Sequence, residues 1–530
     1  MRTRGWAGAA SRRVRAAGSA GVLVTALTLL AGPAVAVPEH TSPKRLGSHQ
    51  PVATAQVQGR ELTLKRPVPT ELVAGTAAVA GPERELHGAV RHRISVAVPA
   101  GGELNVSLPG VTSLTSLQRL GESTSDGLSW QVQPTGIRVR AEATAARGAS
   151  SMILTGIACT SRGCGNPVEI EARLLVLPPA SAGLLAAGSD HTCVVTLDGG
   201  AACWGAGTRG QLGNGSFADS AQPVPVAGLR EVSALAAGST HTCALTRQGE
   251  VWCWGAYTAA DPAPVAEPVR LDPLTAVTQI SAGDGFSCAL GEAGWVQCWG
   301  TNALAELGSP PPGTDLVRTP VTVAGLSSGA TALGSGDHHS CAATANDELR
   351  CWGYNRYGQL AWPDGLMAVE PVVATEVHDV VAIDGGVAHT CVRTGSGGAR
   401  CWGLNYYGQV GNVDLVYRYY PYPQDVTGLD SHVRAVTTGG EHSCAVGDAG
   451  AVRCWGRNDV GQLGDPAIGH TIASVPVPGL APAAAVAAGR AHTCALSSRA
   501  VVSCWGGNEH GQLGVSGPVS QPGPLTVALP

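Results

Sequence analysis

Seven cysteine pairs are the residues in this sequence best suited to chemistry. They are Cys193 with Cys203, Cys243 with Cys253, Cys288 with Cys298, Cys341 with Cys351, Cys391 with Cys401, Cys444 with Cys454 and Cys494 with Cys504, each pair ten positions apart. A histidine stands two residues before the first cysteine in six copies, at His191, His241, His339, His389, His442 and His492, and Phe286 replaces it in the third. Thiols beside imidazoles suggest zinc binding, redox exchange or a structural disulfide. A closed zinc site needs a fourth ligand, which the unit lacks, and Phe286 removes one of the three. In HTCALTRQGEVWCWG, residues 241–255, the turn centres on Arg247-Gln248-Gly249. Counting outward sets Cys243 opposite Cys253. Cα atoms so opposed lie about 4.5 Å apart, a separation that accommodates a disulfide. Disulfides are therefore preferred in all seven copies, with zinc ligation and free thiols as the alternatives. Cys159 and Cys164 are left to each other, as a tight-loop disulfide or a C-x4-C redox motif.

The cysteines must be carried by a repeating unit. Each second cysteine opens a Cys-Trp-Gly tripeptide, and these recur at intervals of 50, 45, 53, 50, 53 and 50 residues. A period near fifty marks a repeat architecture. In the second copy, short runs of Val, Ala, Thr and Trp between turn residues predict strands over 232–236, 241–245, 250–254 and 268–271, and helical periodicity is missing. Four antiparallel strands repeated seven times suit a β-propeller, whose radial closure leaves only short, protected edges. An open solenoid would need distinct capping repeats, whereas the terminal copies here are as regular as the middle ones. The predicted fold is all-β, a seven-bladed β-propeller with a disulfide in each blade, preceded by a small β-sandwich-like domain. The glycine after each tryptophan, as in Gly353 and Gly403, is expected where a side chain would crowd a neighbouring blade. The tryptophans are expected to fill the gaps between blades, and the histidines to be packing residues.

The unit A-A-G-x-x-H-T-C-A-L-x-x-x-G-x-V-x-C-W-G-x-N-x-x-G-Q-L-G, clearest over 487–514 and 236–255, resembles the regulator of chromosome condensation repeat. The resemblance covers 184–530 and implies a seven-bladed propeller. There are departures: the second copy lacks G-Q-L-G, the third reads Ala305-Glu306-Leu307-Gly308, and the fourth ends in Ala361. Family members include nuclear nucleotide-exchange factors that bind chromatin, and secreted bacterial propellers that inhibit β-lactamases through aromatic residues on one face. The resemblance therefore implies binding, without naming a target.

The N-terminus carries Arg2, Arg4, Arg12, Arg13 and Arg15, then an apolar run over 22–30 and Ala34-Val35-Ala36, the layout of a secretory signal cleaved after residue 36. The expected organisation is a signal at 1–36, a flexible leader at 37–84, the small β-domain at 85–178, a linker at 179–183 and the propeller at 184–530. The apolar run is too short to span a bilayer, so the mature protein is expected to be secreted, monomeric and without stable membrane insertion. Losing the five arginines takes the formal charge from −5 to −10. So acidic a chain lacks the basic footprint that nucleic acid requires.

Eight of nine tyrosines lie within 354–422, in YNRYGQLAWPDG and LNYYGQVGNVDLVYRYYPYPQ, both directly after Cys-Trp-Gly. Adjacent blades would bring these loops side by side. Tyrosine, tryptophan and arginine dominate interface hot spots because they offer large rigid contact area with a polar handle. Tyr354, Arg356, Tyr357, Trp362, Tyr406, Tyr407, Tyr417, Arg418, Tyr419, Tyr420 and Tyr422 therefore form a candidate patch for a secreted or surface protein, with polysaccharide as the alternative. The competing view packs them between blades, burying Tyr417 and Tyr419. No nucleophile elbow, His-Glu-x-x-His, phosphate loop or calcium loop occurs, so no catalytic residue, metal or cofactor is assigned. An enzyme would instead need one-off Asp, Glu or His residues converging at the central mouth; Asp337-His338-His339 lacks an evident partner pattern.

Overall fold

The computed structural model describes residues 183–530 apart from 259–260, 262, 413–416 and 498, together with the backbone of strands within 53–177. The expected signal, most of the leader and linker, and the pairing of Cys159 with Cys164 lie outside the described residues and side chains. The N-terminal strands form a five-stranded and a three-stranded sheet over 78–177. Within the five-stranded sheet, Ala89–Pro99 and Gly163–Leu177 pair in parallel. A hairpin of Ala53–Val57 and Arg60–Leu64 precedes them, within the segment expected to be a flexible leader.

From Leu185 onward the chain builds seven four-stranded antiparallel sheets, each ordered as in sequence from the centre outward. They are blades one to seven of a β-propeller. Blade two consists of Val232–Ala237, His241–Thr246, Val251–Gly255 and Val265–Arg270. Its outer strand starts three residues before the expected 268. Pro268 looks like a strand breaker, but on an edge strand its missing N–H faces away from the ladder.

The cysteine count holds in every blade. Cys243 sits opposite Cys253 in the ladder of blade two. The same register joins Cys193 with Cys203, Cys288 with Cys298 and Cys341 with Cys351 in blades one, three and four. In blades five to seven it joins Cys391 with Cys401, Cys444 with Cys454 and Cys494 with Cys504. All seven pairs are disulfide-bonded, with Cα separations of 4.0–4.1 Å. Bonded sulfurs leave no thiolate for a metal, so the zinc and free-thiol alternatives fall for these fourteen residues. The bridges, with flanking Ala, Val and Leu, form the buried middle of each blade.

Blades are joined by the repeat's polar residues. Each histidine is buried, and its Nε2 lies 2.7–2.9 Å from a Thr or Ser hydroxyl of the next blade: His191 with Thr242, His241 with Ser287, His339 with Thr390, His389 with Ser443, His442 with Thr493, His492 with Thr192. The last of these joins blade seven to blade one and closes the ring. Thr242 Oγ1 donates to the Gln211 carbonyl, which leaves its lone pair to accept from the imidazole and fixes the Nε2–H tautomer. Buried Phe286 fills the same space in blade three, and Ser340 hydrogen-bonds to Ser335 instead.

The tryptophans lie between blades as expected, each indole N–H donating to the previous blade, as Trp402 does to the Gln359 carbonyl at 2.8 Å. Blade two, which lacks Gly-Gln-Leu-Gly, supplies the Tyr257 hydroxyl at 2.7 Å from Trp299 Nε1 in place of that carbonyl. Tyr257→Phe is expected to leave a buried N–H unpaired and lower stability by about 1–3 kcal/mol. The denaturant midpoint measures this, with Tyr357→Phe as the control.

The glycine after each tryptophan is confined first by its own blade, and in blades one, six and seven by the neighbouring blade as well, where a Cβ on Gly205, Gly456 or Gly506 would lie 3.1–3.3 Å from Gln512, Gln409 or Gln462 Cα. A Cβ on Gly353 would meet the His338 carbonyl at 2.4 Å and His339 Cα at 2.8 Å, in its own blade rather than a neighbour. Its φ of +96° is also one that L side chains avoid.

Candidate functional site

The loop after each third strand and the turn after each first strand share one end of the ring, as shown by the Tyr354 N–H donating to the His338 carbonyl at 2.8 Å. We refer to this end as the loop face. In blade four the loop is locked by Asn355, whose side chain donates to the Trp362 carbonyl at 2.8 Å and accepts from Leu360 N–H at 3.1 Å. Gln359 Oε1 accepts from Tyr357 N–H at 3.0 Å. Asn405 and Gln409 repeat the arrangement in blade five, accepting from Val410 and Tyr407 N–H at 3.0 Å. The segments after Asn355 and Asn405 are therefore held by internal hydrogen bonds.

Gly358 links the two blades. A Cβ there would meet Pro421 Cα at 2.5 Å, so the blade-four loop rests directly on Tyr419–Asp425, the outer strand of blade five. The residues nominated from sequence therefore lie on adjoining segments. Arg356 and Arg418 are exposed, as are Tyr417 (62%), Tyr419 (50%), Tyr406 (47%) and Tyr422 (41%). Tyr354, Tyr357, Trp362 and Tyr407 are half-buried. Tyr420 is a correction: it is only 8% exposed and packs in a core cluster with Val410, Val426 and Trp455, so it supports the patch from beneath. Tyr417 and Tyr419 are thus exposed rather than buried, and the strand does not alternate simply: Tyr420 and Pro423 are its buried positions, while Tyr422 is exposed. The ladder partner of Tyr420 is Gly403.

Packing also orders the patch. The Arg418 guanidinium lies 5.2 Å from the Tyr406 ring centroid, and Tyr417 meets Tyr420 edge-on at 5.8 Å. Tyr407 turns toward blade six, with Arg457 5.0 Å from its centroid and His470 at 4.8 Å. Sequence reading missed Leu366 and Met367, which stand exposed beside Tyr354 through the Met367–Tyr354 pair. The apolar pair after Asp364-Gly365 was the available signal.

Charged side chains do converge at the central mouth, between blades three and four. His338 Nδ1 lies 3.3 Å from Glu306 and Nε2 lies 3.8 Å from Asp284. This partner pattern was not visible in the sequence, because Glu306 comes from the blade-three loop. The Glu306 carboxylate beside the ring, with the charges of Asp337 and Asp284, raises the His338 pKa despite burial, while burial pushes Asp337 up to about 6. Below the mouth, a central cavity of about 450 Å³ is lined by the first strands of all seven blades, mostly by small residues. Among the described residues there is no group of three or more side chains arranged to hold a metal.

A model of the RCC1-like domain matches residues 257–528, and two models of the regulator of chromosome condensation (RCC1) repeat match 198–245 and 184–211. Yeast RCC1 (Prp20), solved with Kap60 bound, is 21% identical with a TM-score of 0.56, covering 66% of this chain and 85% of that one. Prp20p from Saccharomyces cerevisiae, described with its binding to Gsp1p and histones, is 23% identical, with TM-score 0.56 and coverages of 66% and 87%. Human WBSCR16 is 21% identical, with TM-score 0.53 and coverages of 59% and 85%. At these identities the solved structures establish the fold alone. No curated protein sequence matches.

Proposed function

The chain belongs to the RCC1-like family of β-propellers, a protein-interaction type of module, and on that premise we propose that it is exported and binds a protein partner through the loop face of blades four and five. The observation carrying the proposal is the gathering of exposed tyrosine and arginine on two adjoining, internally braced loops. Such side chains lose little entropy on binding and supply most interface energy. The basic N-terminus with its apolar run and Ala34-Val35-Ala36 supports export, as do seven disulfides, which persist in oxidising compartments. Inhibition of a secreted or surface enzyme is one form this binding takes.

The test is a capture experiment with the immobilised protein against secreted and cell-wall extracts. The comparison is a variant with Tyr406, Tyr407 and Tyr419 changed to Ala, leaving buried Tyr420 in place. Each truncation is expected to cost about 2 kcal/mol if it removes a hot spot, so the variant should retain no partner at concentrations where wild type is saturated. Equal retention by a folded variant places the contact elsewhere. Retention of polysaccharide alone moves carbohydrate attachment ahead of protein binding.

A further inference from the structure

We infer that the blade four–five patch receives an acidic segment of a protein partner, with carboxylates on Arg356 and Arg418 and apolar side chains among the tyrosines. This inference rests on reading the patch as a protein-binding surface. Several arginines of the propeller have carboxylates of their own. Arg457 pairs with Glu441 and Asp459, Arg318 with Asp261, Arg350 with Glu348 and Arg400 with Asp425. Arg356 and Arg418 are both exposed, and among the described residues neither has an ion-pair partner or a side-chain hydrogen bond.

Arg418 is nevertheless not loose. Its guanidinium stacks over Tyr406, and its own carbonyl accepts from Asn405 N–H at 2.8 Å within the braced loop. Stacking holds the plane of a guanidinium while leaving its edge donors free, the geometry that takes a carboxylate in bidentate fashion. On the same adjoining segments Tyr417, Tyr419, Leu366 and Met367 are exposed and without charge. Charge complementarity therefore calls for carboxylates flanking apolar groups.

Phosphate would also satisfy an arginine, and bases also stack on tyrosine. The surroundings favour the protein segment. The chain carries a net −5, and Asp284, Glu306 and Asp337 surround His338 at the adjacent mouth. A long polyanion crossing this face meets those carboxylates, whereas a short acidic segment stays on the patch.

Fluorescence anisotropy on the full chain tests the inference. The probes are a labelled peptide alternating glutamate and leucine, its glutamine and lysine counterparts, and a single-stranded oligonucleotide. The glutamate peptide is expected to bind with an affinity that falls as salt is raised, the glutamine peptide about tenfold or more weakly, and the lysine peptide and oligonucleotide not measurably. Arg356→Gln with Arg418→Gln should weaken the glutamate peptide by about tenfold per arginine, the scale of a lost charge-assisted hydrogen bond, with the fold intact by circular dichroism. Equal binding of the lysine peptide, tight binding of the oligonucleotide, indifference to the arginine variant, or no binding by any peptide overturns it. A partner captured through the tyrosines but indifferent to both arginines would overturn this inference and leave the protein-binding reading standing.

Discussion

Acidification from about pH 7.5 to about pH 5 is expected to remove most of the propeller's margin against denaturant, because six histidines are buried neutral between blades. Burial lowers the pKa values of His191, His339 and His442 to about 3, and those of His241, His389 and His492 to about 4. In the unfolded chain each titrates near its ordinary 6.5. Below that value the unfolded state takes up protons that the folded state refuses, so stability falls with falling pH until the folded values are reached. At pH 5 a histidine shifted this far withdraws about 2 kcal/mol. Six of them reach the scale of a whole domain's stability, about 5–15 kcal/mol. Some groups act in the opposite sense. Asp337 and Asp384, raised to about 6 by burial, bind protons in the folded state first, and each returns about 1 kcal/mol near pH 5. Asp190 is raised by burial, and His338 and His510 are raised by the carboxylates of Glu306 and Asp219, which accept from the protonated ring; these three also work against the loss. The histidines outweigh them because their shifts are larger and their sites fully closed. Urea midpoints across this range measure the net effect, and a midpoint that stays constant from pH 7.5 to 5 refutes it. Blade three already supplies the matched variant. His339→Phe copies the Phe286 arrangement, and it should reduce the proton uptake on unfolding by about one below pH 6.

The propeller was legible because its information is local and repeated. Cys243 and Cys253 flank a short turn, so counting residues fixes their register, and seven agreeing copies fix the blade. The cross-blade bonds were not legible, since Trp254 finds the Gln211 carbonyl in another repeat and nothing in either motif names the other. Tyr257 replacing an absent Gly-Gln-Leu-Gly is the same problem in stronger form, because the compensating group sits in a loop without the motif. At the candidate site, composition located the tyrosines and repeat spacing placed their loops on neighbouring blades. The burial of Tyr420 depended on strand phase opposite Gly403, which a proline-interrupted run such as Tyr419-Tyr420-Pro421-Tyr422-Pro423 does not reveal. The Glu306–His338–Asp284 cluster needed the ring itself, since blades three and four bring it together only at the mouth.

Reduction should act on the fold as one event rather than as seven. Each bridge closes a short loop within a hairpin, and the chain-entropy model assigns it about 3 kcal/mol. Loss of only a few bridges therefore approaches the full stability of a typical domain. The sulfur atoms lie in residues that are almost completely buried, Cys253 being the most accessible at 7%. A thiolate must reach a disulfide to exchange with it, so reductant alone is expected to be slow on the native protein. Once a blade opens, its neighbours lose the histidine and indole hydrogen bonds that joined them to it, and their own bridges become accessible in turn. Incubation with dithiothreitol in moderate urea, followed by alkylation and mass measurement, should show propellers with all seven bridges or none, and the fully reduced chain should be unfolded at neutral pH. A long-lived population with three or four bridges reduced and its β-sheet spectrum intact would mean that the blades are stable individually. The double variant Cys288→Ala and Cys298→Ala separates the two contributions. It should cost about 3 kcal/mol in the oxidised ring and also quicken reduction of blades two and four, which touch blade three. A reducing compartment would then take this protein apart in one event once its weakest seam opens, and that sensitivity ties the disulfide-stapled fold to the exported location proposed for it.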